Sequence, residues 1–234
     1  RGLGDVYKRQ TVYFTINGQT YAKTTDANGT ASMGLNLDSN VYPVTVTYNG
    51  SAFYSKISKN ITVTINSSII ADDLVKMYQN DTRFYVKFTD STGKALTKTT
   101  VKFNINGVFY TRVTDENGMA SLNIRLDPNS YIITAYNPET GEQRANEVTV
   151  LPRIIAEDLS MKYLDGSSFN ATLVDGQGKA VTGVNITFNV NGVFYNRTTD
   201  ENGMANLLIR LNPGKYIITS IWNEYQVGRT ITIA

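Results

Sequence analysis

Two stretches of the chain decide its fold: Asn106 to Pro128 reads NGVFYTRVTDENGMASLNIRLDP, and Asn191 to Pro213 reads NGVFYNRTTDENGMANLLIRLNP. A shorter echo, Asn17-Gly18 followed by Thr25-Asp26-Ala27-Asn28-Gly29, stands upstream. The counterparts Asp26, Asp115 and Asp200 are 89 and 85 residues apart, a period of tandem domains rather than of a short-repeat solenoid. The match extends outward in both directions. Ile69-Ile70-Ala71-Asp72-Asp73-Leu74 answers Ile154-Ile155-Ala156-Glu157-Asp158-Leu159, and Asp90-Ser91-Thr92-Gly93-Lys94-Ala95 answers Asp175-Gly176-Gln177-Gly178-Lys179-Ala180. The spacing predicts two complete units, 66–150 and 151–234, preceded by an incomplete one, 11–65.

Within each unit the apolar residues alternate with period two, as in a strand with one buried face. Val101, Phe103 and Ile105 point one way, as do Val12, Phe14, Ile16 and Ile186, Phe188, Val190; Phe84, Val86 and Phe88 form another such set, as do Leu122, Ile124, Leu126 and Tyr131, Ile133, Ala135. Further strands are expected over Ile69–Tyr78 and Asn146–Leu151, and no segment carries a helical period. Asn106-Gly107 and Asn191-Gly192 read as two-residue hairpin turns, since both central positions need positive φ. Asp115-Glu116-Asn117-Gly118 and Asp200-Glu201-Asn202-Gly203 read as type I turns closed by a left-handed glycine. About seven short strands per unit with turns at close spacing predict an all-β chain of tandem Ig-like antiparallel β-sandwiches, two complete and one N-terminally truncated. Tyr42, Tyr131 and Tyr216 recur just after a chain break and are expected to form tyrosine corners. Leu151-Pro152-Arg153-Ile154 joins two units with no Gly/Ser spacer, which predicts a semi-rigid rod.

Residues 1–10, RGLGDVYKRQ, share none of this patterning. They resemble a translated sequencing adapter and are excluded from fold reasoning, which makes the chain an expected fragment of a metagenomic reading frame. The counterpart of residues 66–99 is missing from the first unit, so the partner surface of Val12, Phe14 and Ile16 should be incomplete and the unit should fray or associate.

Composition narrows the chemistry. The 234 residues hold 22 Lys+Arg against 20 Asp+Glu, 15 Tyr, 9 Phe, and neither Cys nor His. Without His or Cys there is no imidazole base, no Ser-His or Cys-His pair, and no zinc or iron–sulfur site of the usual kinds. A net charge of +2 supplies no field to gather nucleic acid or anionic lipid, and no apolar run nears the roughly 20 residues of a spanning helix. Neither an enzyme nor any cofactor is expected.

The order Asp-x-x-Gly-Lys-Ala-(Val/Leu)-Thr, Val/Ile-x-Phe-x-(Ile/Val)-Asn-Gly-Val-Phe-Tyr, Thr-Asp-Glu-Asn-Gly-Met-Ala and Leu-x-Pro-x-x-Tyr-Ile-Ile-Thr resembles the bacterial-type Ig-like repeats of large surface adhesins. It is most similar to those of adhesin-like proteins of methanogenic archaea such as Methanobrevibacter. The resemblance covers both complete units and most of the partial one. It implies an extracellular, cell-surface stalk or adhesin segment whose anchor and ligand domains lie elsewhere and whose partner is a surface protein or a glycan; it transfers no catalytic residues. The alternative is an accessory carbohydrate-binding module of a secreted enzyme.

Several residues stand out for possible chemistry. Asp115, Glu116, Asn117, Asp200, Glu201 and Asn202 gather oxygen ligands of the kind calcium prefers, but the spacing is not that of an EF-hand and Ala27 replaces the glutamate in the first unit, so they read first as turns. Asp72-Asp73 and Glu157-Asp158 near the unit boundaries are a second calcium candidate. Tyr110, Tyr195 and Trp222 are candidate ligand-contact aromatics, with covering of a sheet face or a neighbouring domain as the competing role. Asn60, Asn66, Asn80, Asn170, Asn185 and Asn196 stand in Asn-x-Ser/Thr triplets and are candidate glycosylation sites.

Overall fold

A computed structural model of the chain describes residues 8–234. All regular structure in it is β. The first unit contributes β1 (Thr11–Ile16), β2 (Gln19–Thr24), β3 (Asn40–Tyr48) and β4 (Ile57–Ile65), in a single sheet of order β2-β1-β3-β4. The second contains β5 (Ile69–Ile70), β6 (Leu74–Met77), β7 (Arg83–Phe88), β8 (Thr100–Ile105), β9 (Val108–Val113), β10 (Met119–Asn123), β11 (Asn129–Tyr136) and β12 (Gln143–Leu151). These form a three-stranded sheet β10-β7-β5 facing a five-stranded sheet β6-β12-β11-β8-β9. The third repeats the plan with β13 (Ile154–Ala156), β14 (Leu159–Met161), β15 (Ser168–Leu173), β16 (Asn185–Val190), β17 (Val193–Thr198), β18 (Met204–Leu208), β19 (Gly214–Trp222) and β20 (Tyr225–Ile233), as β13-β15-β18 against β14-β20-β19-β16-β17. Units two and three are therefore Ig-like β-sandwiches.

Local sequence explains the turns. Asn106 and Gly107 have φ of 52° and 76°, and Asn191 and Gly192 of 52° and 77°, the two positive values that a type I′ hairpin requires. Behind the acidic turns the requirement is steric as well. A Cβ on Gly118 would stand 2.6 Å from the Phe88 carbonyl oxygen, and one on Gly203 2.7 Å from that of Leu173, so the turn lies against the facing strand. The tyrosine corners are present: the hydroxyls of Tyr42, Tyr131 and Tyr216 donate to the carbonyls of Asp38, Asp127 and Asn212 at 2.7, 2.7 and 2.8 Å.

Three details depart from the sequence expectation. The strand expected over Ile69–Tyr78 is two strands: β5 pairs antiparallel with β7, then the chain crosses and β6 pairs in parallel with β12. The crossing residue Asp73 accepts hydrogen bonds from the Glu147 backbone (2.8 Å) and Asn146 Nδ2 (3.0 Å), while Asn146 also donates to the Ala71 carbonyl at 3.3 Å. In the third unit Asp158 accepts from the Thr230 amide (2.8 Å) and Arg229 Nε donates to the Ala156 carbonyl (2.6 Å), and each sandwich holds one parallel pair. Second, the strand expected to run on through Leu126 closes at Asn123. Third, part of the excluded decapeptide joins the fold. The Gln10 amide donates to the Thr25 hydroxyl, the Thr25 amide to the Gln10 carbonyl and the Arg9 amide to the Thr25 carbonyl, and Arg9 has a positive φ of 59° where the matching Lys98 (49°) and Gly183 (70°) also have positive values. Backbone pairing needs no side-chain pattern, which is why these two residues escaped notice; residues 1–7 lie outside the described residues.

The cores mirror one another. Val86, Phe88, Val101, Phe103 and Ile133 are fully buried in the second unit, and Ala171, Leu173, Ile186, Phe188 and Ile218 in the third. Phe103 meets Phe84 and Phe88 edge-on, with ring centroids 6.4 and 6.0 Å apart, and Phe188 meets Phe169 at 5.8 Å. One position differs in kind: Ser220 takes the place of buried Ala135, and its hydroxyl has no hydrogen-bond partner. An unpaired buried hydroxyl costs about 1–3 kcal/mol. Ser220→Ala should therefore raise the stability of the third unit by about 1 kcal/mol, read as a higher urea midpoint with unchanged slope.

Among the described residues the first unit forms a single sheet. Ile16, Tyr42 and Val44 are buried, while Val12, Phe14, Val46 and Val63 are only partly covered and Ile61 is exposed. Residues 30–37, the counterpart of β10 and the chain after it, form no strand because no counterpart of β7 stands beside them; Met33 and Leu37 lie against the small core instead.

Candidate functional site

Polar and aromatic clusters form where side chains from different units meet. Between units one and two the centre is Glu142, in the loop joining β11 to β12. Its Oε2 accepts from the Ser68 amide and hydroxyl, both at 2.6 Å, and its Oε1 from Ser67 Oγ at 2.7 Å and from Ser39 Oγ of the first unit at 2.8 Å. Asn137, almost fully buried, donates Nδ2 to Ser68 Oγ (3.0 Å) and to the Thr89 carbonyl (2.8 Å). A cleft of about 1110 Å³ flanks this cluster, lined by residues that include Asp38, Asp90, Thr92 and Glu142.

Burial pushes the Glu142 carboxyl up, but the donors Ser67, Ser68 and Ser39 outweigh it and hold the group below its ordinary value of 4.5. A lowered carboxyl contributes stability that is complete above the unfolded value and is lost as pH falls through the folded one. Amide exchange at Ser67–Ile69 should therefore be slow and flat above about pH 5 after correction for intrinsic rates. It should quicken below 4.5 in the parent chain and not in Glu142→Gln. Equal acid sensitivity in both chains would remove Glu142 as the cause.

Between units two and three the same places carry different chemistry. The linker is Pro152-Arg153 instead of Ser67-Ser68, and the gripping turn is Trp222 to Tyr225 instead of the longer 137–142 loop. The Arg153 guanidinium lies 4.8 Å from the Trp222 ring centre, Tyr78 of the second unit packs on Tyr225 with ring centres 5.0 Å apart, and Asn80 Nδ2 donates to the Gly176 carbonyl at 3.0 Å. Burial, the largest influence, raises the Tyr225 hydroxyl pKa above its ordinary range.

Sequence reasoning missed Glu142, Asn137, Tyr78 and Tyr225. A signal existed: the loop between β11 and β12 is longer than its counterpart in the third unit, and a length difference between repeats marks a loop with its own task.

The sequence candidates fall elsewhere. Trp222 is half-buried against Arg153 and the third core, and Tyr110 and Tyr195 lean on their own cores, with Arg197 6.0 Å from the Tyr195 ring centre. Their chain neighbours Phe109 and Phe194 are among the aromatics that face solvent, 61% and 62% exposed, as are Phe53 (79%) and Tyr85 (56%), and Phe109 pairs with Tyr136 at 5.9 Å. In the acidic turns Asp115 Oδ1 accepts the amides of Asn117 and Met119, and Asp200 Oδ1 those of Asn202 and Met204, at 2.8 and 2.9 Å in each case. Glu116 reaches out to Lys98 at 3.0 Å, both exposed, and Glu201 and Asn202 are exposed at the matching turn of the third unit. Asp73 and Asp158 hold the strand crossings, and among the described residues no group of three or more acidic side chains is placed to hold a metal ion.

Of the triplet asparagines, Asn60, Asn66, Asn170, Asn185 and Asn196 are exposed, whereas Asn80 is half-buried at the junction. Asn185 and Asn196 form a reciprocal pair, in which Thr198 Oγ1 donates to Asn185 Oδ1 (2.9 Å) and Thr187 Oγ1 to Asn196 Oδ1 (2.8 Å).

No protein-family model matches the chain, and no curated protein matches it. Among solved structures it is similar to SGBP-B of the Bacteroides ovatus mixed-linkage glucan utilization locus, solved with a mixed-linkage heptasaccharide: 14% identity, 97% of this chain and 60% of that one covered, TM-score 0.27. It is also similar to a Ca2+-stabilized adhesin with which an Antarctic bacterium binds ice (20% identity, 98% and 66% covered, TM-score 0.24). A third likeness is to a 1.5-MDa bacterial ice-binding adhesin (19% identity, 95% and 85% covered, TM-score 0.27). The chain thus spans 60% and 66% of the lengths of the first two. None of the three superposes closely enough to speak to a site.

Proposed function

We propose that the chain is a non-catalytic segment of an extracellular, cell-surface array of Ig-like units, whose work is to extend and display binding surfaces for attachment to a surface protein or a glycan. The observation that carries this reading is the pair of clamped junctions. Units follow one another without a spacer, and at each boundary side chains of adjoining units meet: Ser39 Oγ donates to Glu142 at one, and at the other Tyr78 packs on Tyr225 while Asn80 donates to the Gly176 carbonyl. Linked beads with free joints would need none of these contacts, whereas a spacer that must hold its reach does.

The absence of native cysteine makes a direct test clean. With spin labels on Lys102→Cys and Lys215→Cys, one in each complete unit, the interlabel distance distribution should be single and narrow. It should broaden when Trp222→Ala and Tyr78→Ala are combined. A broad distribution in the parent chain would defeat the extension reading.

A second reading, a carbohydrate-binding module, is favoured by one observation: Phe109 and Tyr136 form an aromatic pair on the outer sheet face, close to Asn104 and Thr134 in register. Such a platform suits stacking on a sugar ring. Saturable binding on a glycan array that disappears with Phe109→Ala and survives Trp222→Ala would support it.

A further inference from the structure

The inner face of the first unit repeats residues that a second sheet covers in units two and three. Val12, Phe14, Ile16, Val44 and Val63 stand where Val101, Phe103, Ile105, Ile133 and Val148 stand in the second unit, on strands with the same pairing order. There the five positions are 0–2% exposed, because β7 and β10 lie across them. The ring packing that closes this core comes from β7, through Phe84 and Phe88 against Phe103. In the third unit β15 fills the same role with Phe169, Ala171 and Leu173. The first unit also keeps the receiving strand in reserve. Residues 30–34 align with β10, including Ala31 for Ala120 and Met33 for Leu122, yet among the described residues they form no strand and pair with none.

We propose that this face is an acceptor site for one kind of occupant: a polypeptide segment patterned like residues 66–97, whose main strand carries Phe at the first inward position, Val or Ala at the next and Phe or Leu at the third. On entry it would pair antiparallel with residues 30–34, as β7 pairs with β10, and bury Phe14 beneath its aromatic ring. Strand addition of this kind takes its affinity from main-chain hydrogen bonds and its selectivity from alternate side chains. The inference goes beyond the surface-array reading, since the site would exist whatever the array displays.

The test uses the full chain with a synthetic peptide of residues 66–98 as probe, followed by hydrogen exchange. Exchange at residues 30–35, 12–16 and 61–65 should slow at least tenfold and saturate at one peptide per chain. A peptide carrying Phe84→Asp and Val86→Asp should have no effect. Because a free peptide can aggregate before it docks, a second form carries residues 66–97 fused directly ahead of Arg9. It should show the same protection and a first unit that resists proteolysis as long as the other two. The proposal is overturned if neither form slows exchange at residues 30–35, or if the Asp-substituted peptide slows it equally. It is also overturned if sedimentation shows the chain alone to be a dimer with that face already protected, in which case a second copy is the occupant.

Discussion

Alanine in place of Gly203 should unfold the third unit at temperatures where the second remains intact. Two costs coincide at this position. The backbone sits at φ of 73°, where a Cβ costs about 1–2 kcal/mol, and that Cβ would lie 2.7 Å from the Leu173 carbonyl oxygen, a backbone atom that cannot swing aside. With overpacking of about 1–3 kcal/mol added, the loss is about 3 kcal/mol. For a domain of this size that lowers the melting temperature by more than about 12 °C. Gly192→Ala supplies the internal control. Its φ is 77°, but a Cβ there meets nothing within 4 Å, so only the conformational cost of about 1–2 kcal/mol applies. Equal losses in the two variants, measured by calorimetry, would mean that the close approach of turn and strand carries no energy. Gly118→Ala, with 2.6 Å to the Phe88 carbonyl, should repeat the large effect in the second unit.

The second large effect concerns one phenylalanine in three settings. Phe103 and Phe188 are fully buried under the opposing sheet, and truncation to alanine should cost about 3–5 kcal/mol in each host unit. Phe14 occupies the same place in the first unit but is only partly covered, so Phe14→Ala should cost no more than about 1 kcal/mol. The comparison needs no outside reference, since repeat position and strand order are shared, the cross-strand neighbour changes only among Val46, Ala135 and Ser220, and the covering sheet is the main difference. Denaturant unfolding followed by exchange at each unit's own amides separates the three. A loss at Phe14 as large as at Phe103 would show that residues 30–37 cover the face better than their lack of strand pairing indicates.

Architecture was readable from the residues because repetition and period two constrain the backbone directly. Asn106-Gly107 demanded a hairpin, alternation from Val101 to Ile105 chose the inner face, and Tyr131 forecast its own hydrogen bond to Asp127. The crossing between β5 and β6 was not readable. Ile69–Tyr78 keeps enough apolar residues to look like one strand, and the pivot at Asp73 depends on Asn146 and Glu147, which are distant in sequence. The junction chemistry was hidden for a similar reason. Glu142 looks like any loop glutamate until the fold brings Ser39, Ser67 and Ser68 to its two oxygens. Trp222, conspicuous by being unique, drew attention as a binding residue, whereas the structure sets it over Arg153.

Each clamp belongs to the unit whose own entry segment it grips. Glu142 and Asn137 hold Ser67 and Ser68 of the same unit, and Trp222 holds Arg153 of the same unit; the neighbour behind contributes a serine hydroxyl in one case, and an aromatic ring and one amide in the other. A gene duplication that copies one unit therefore copies its fastening with it. Such a copy carries the grip on its own entry segment to any new position, whereas the contact across the joint also requires the serine hydroxyl, or the ring and amide, of the unit that stands before it.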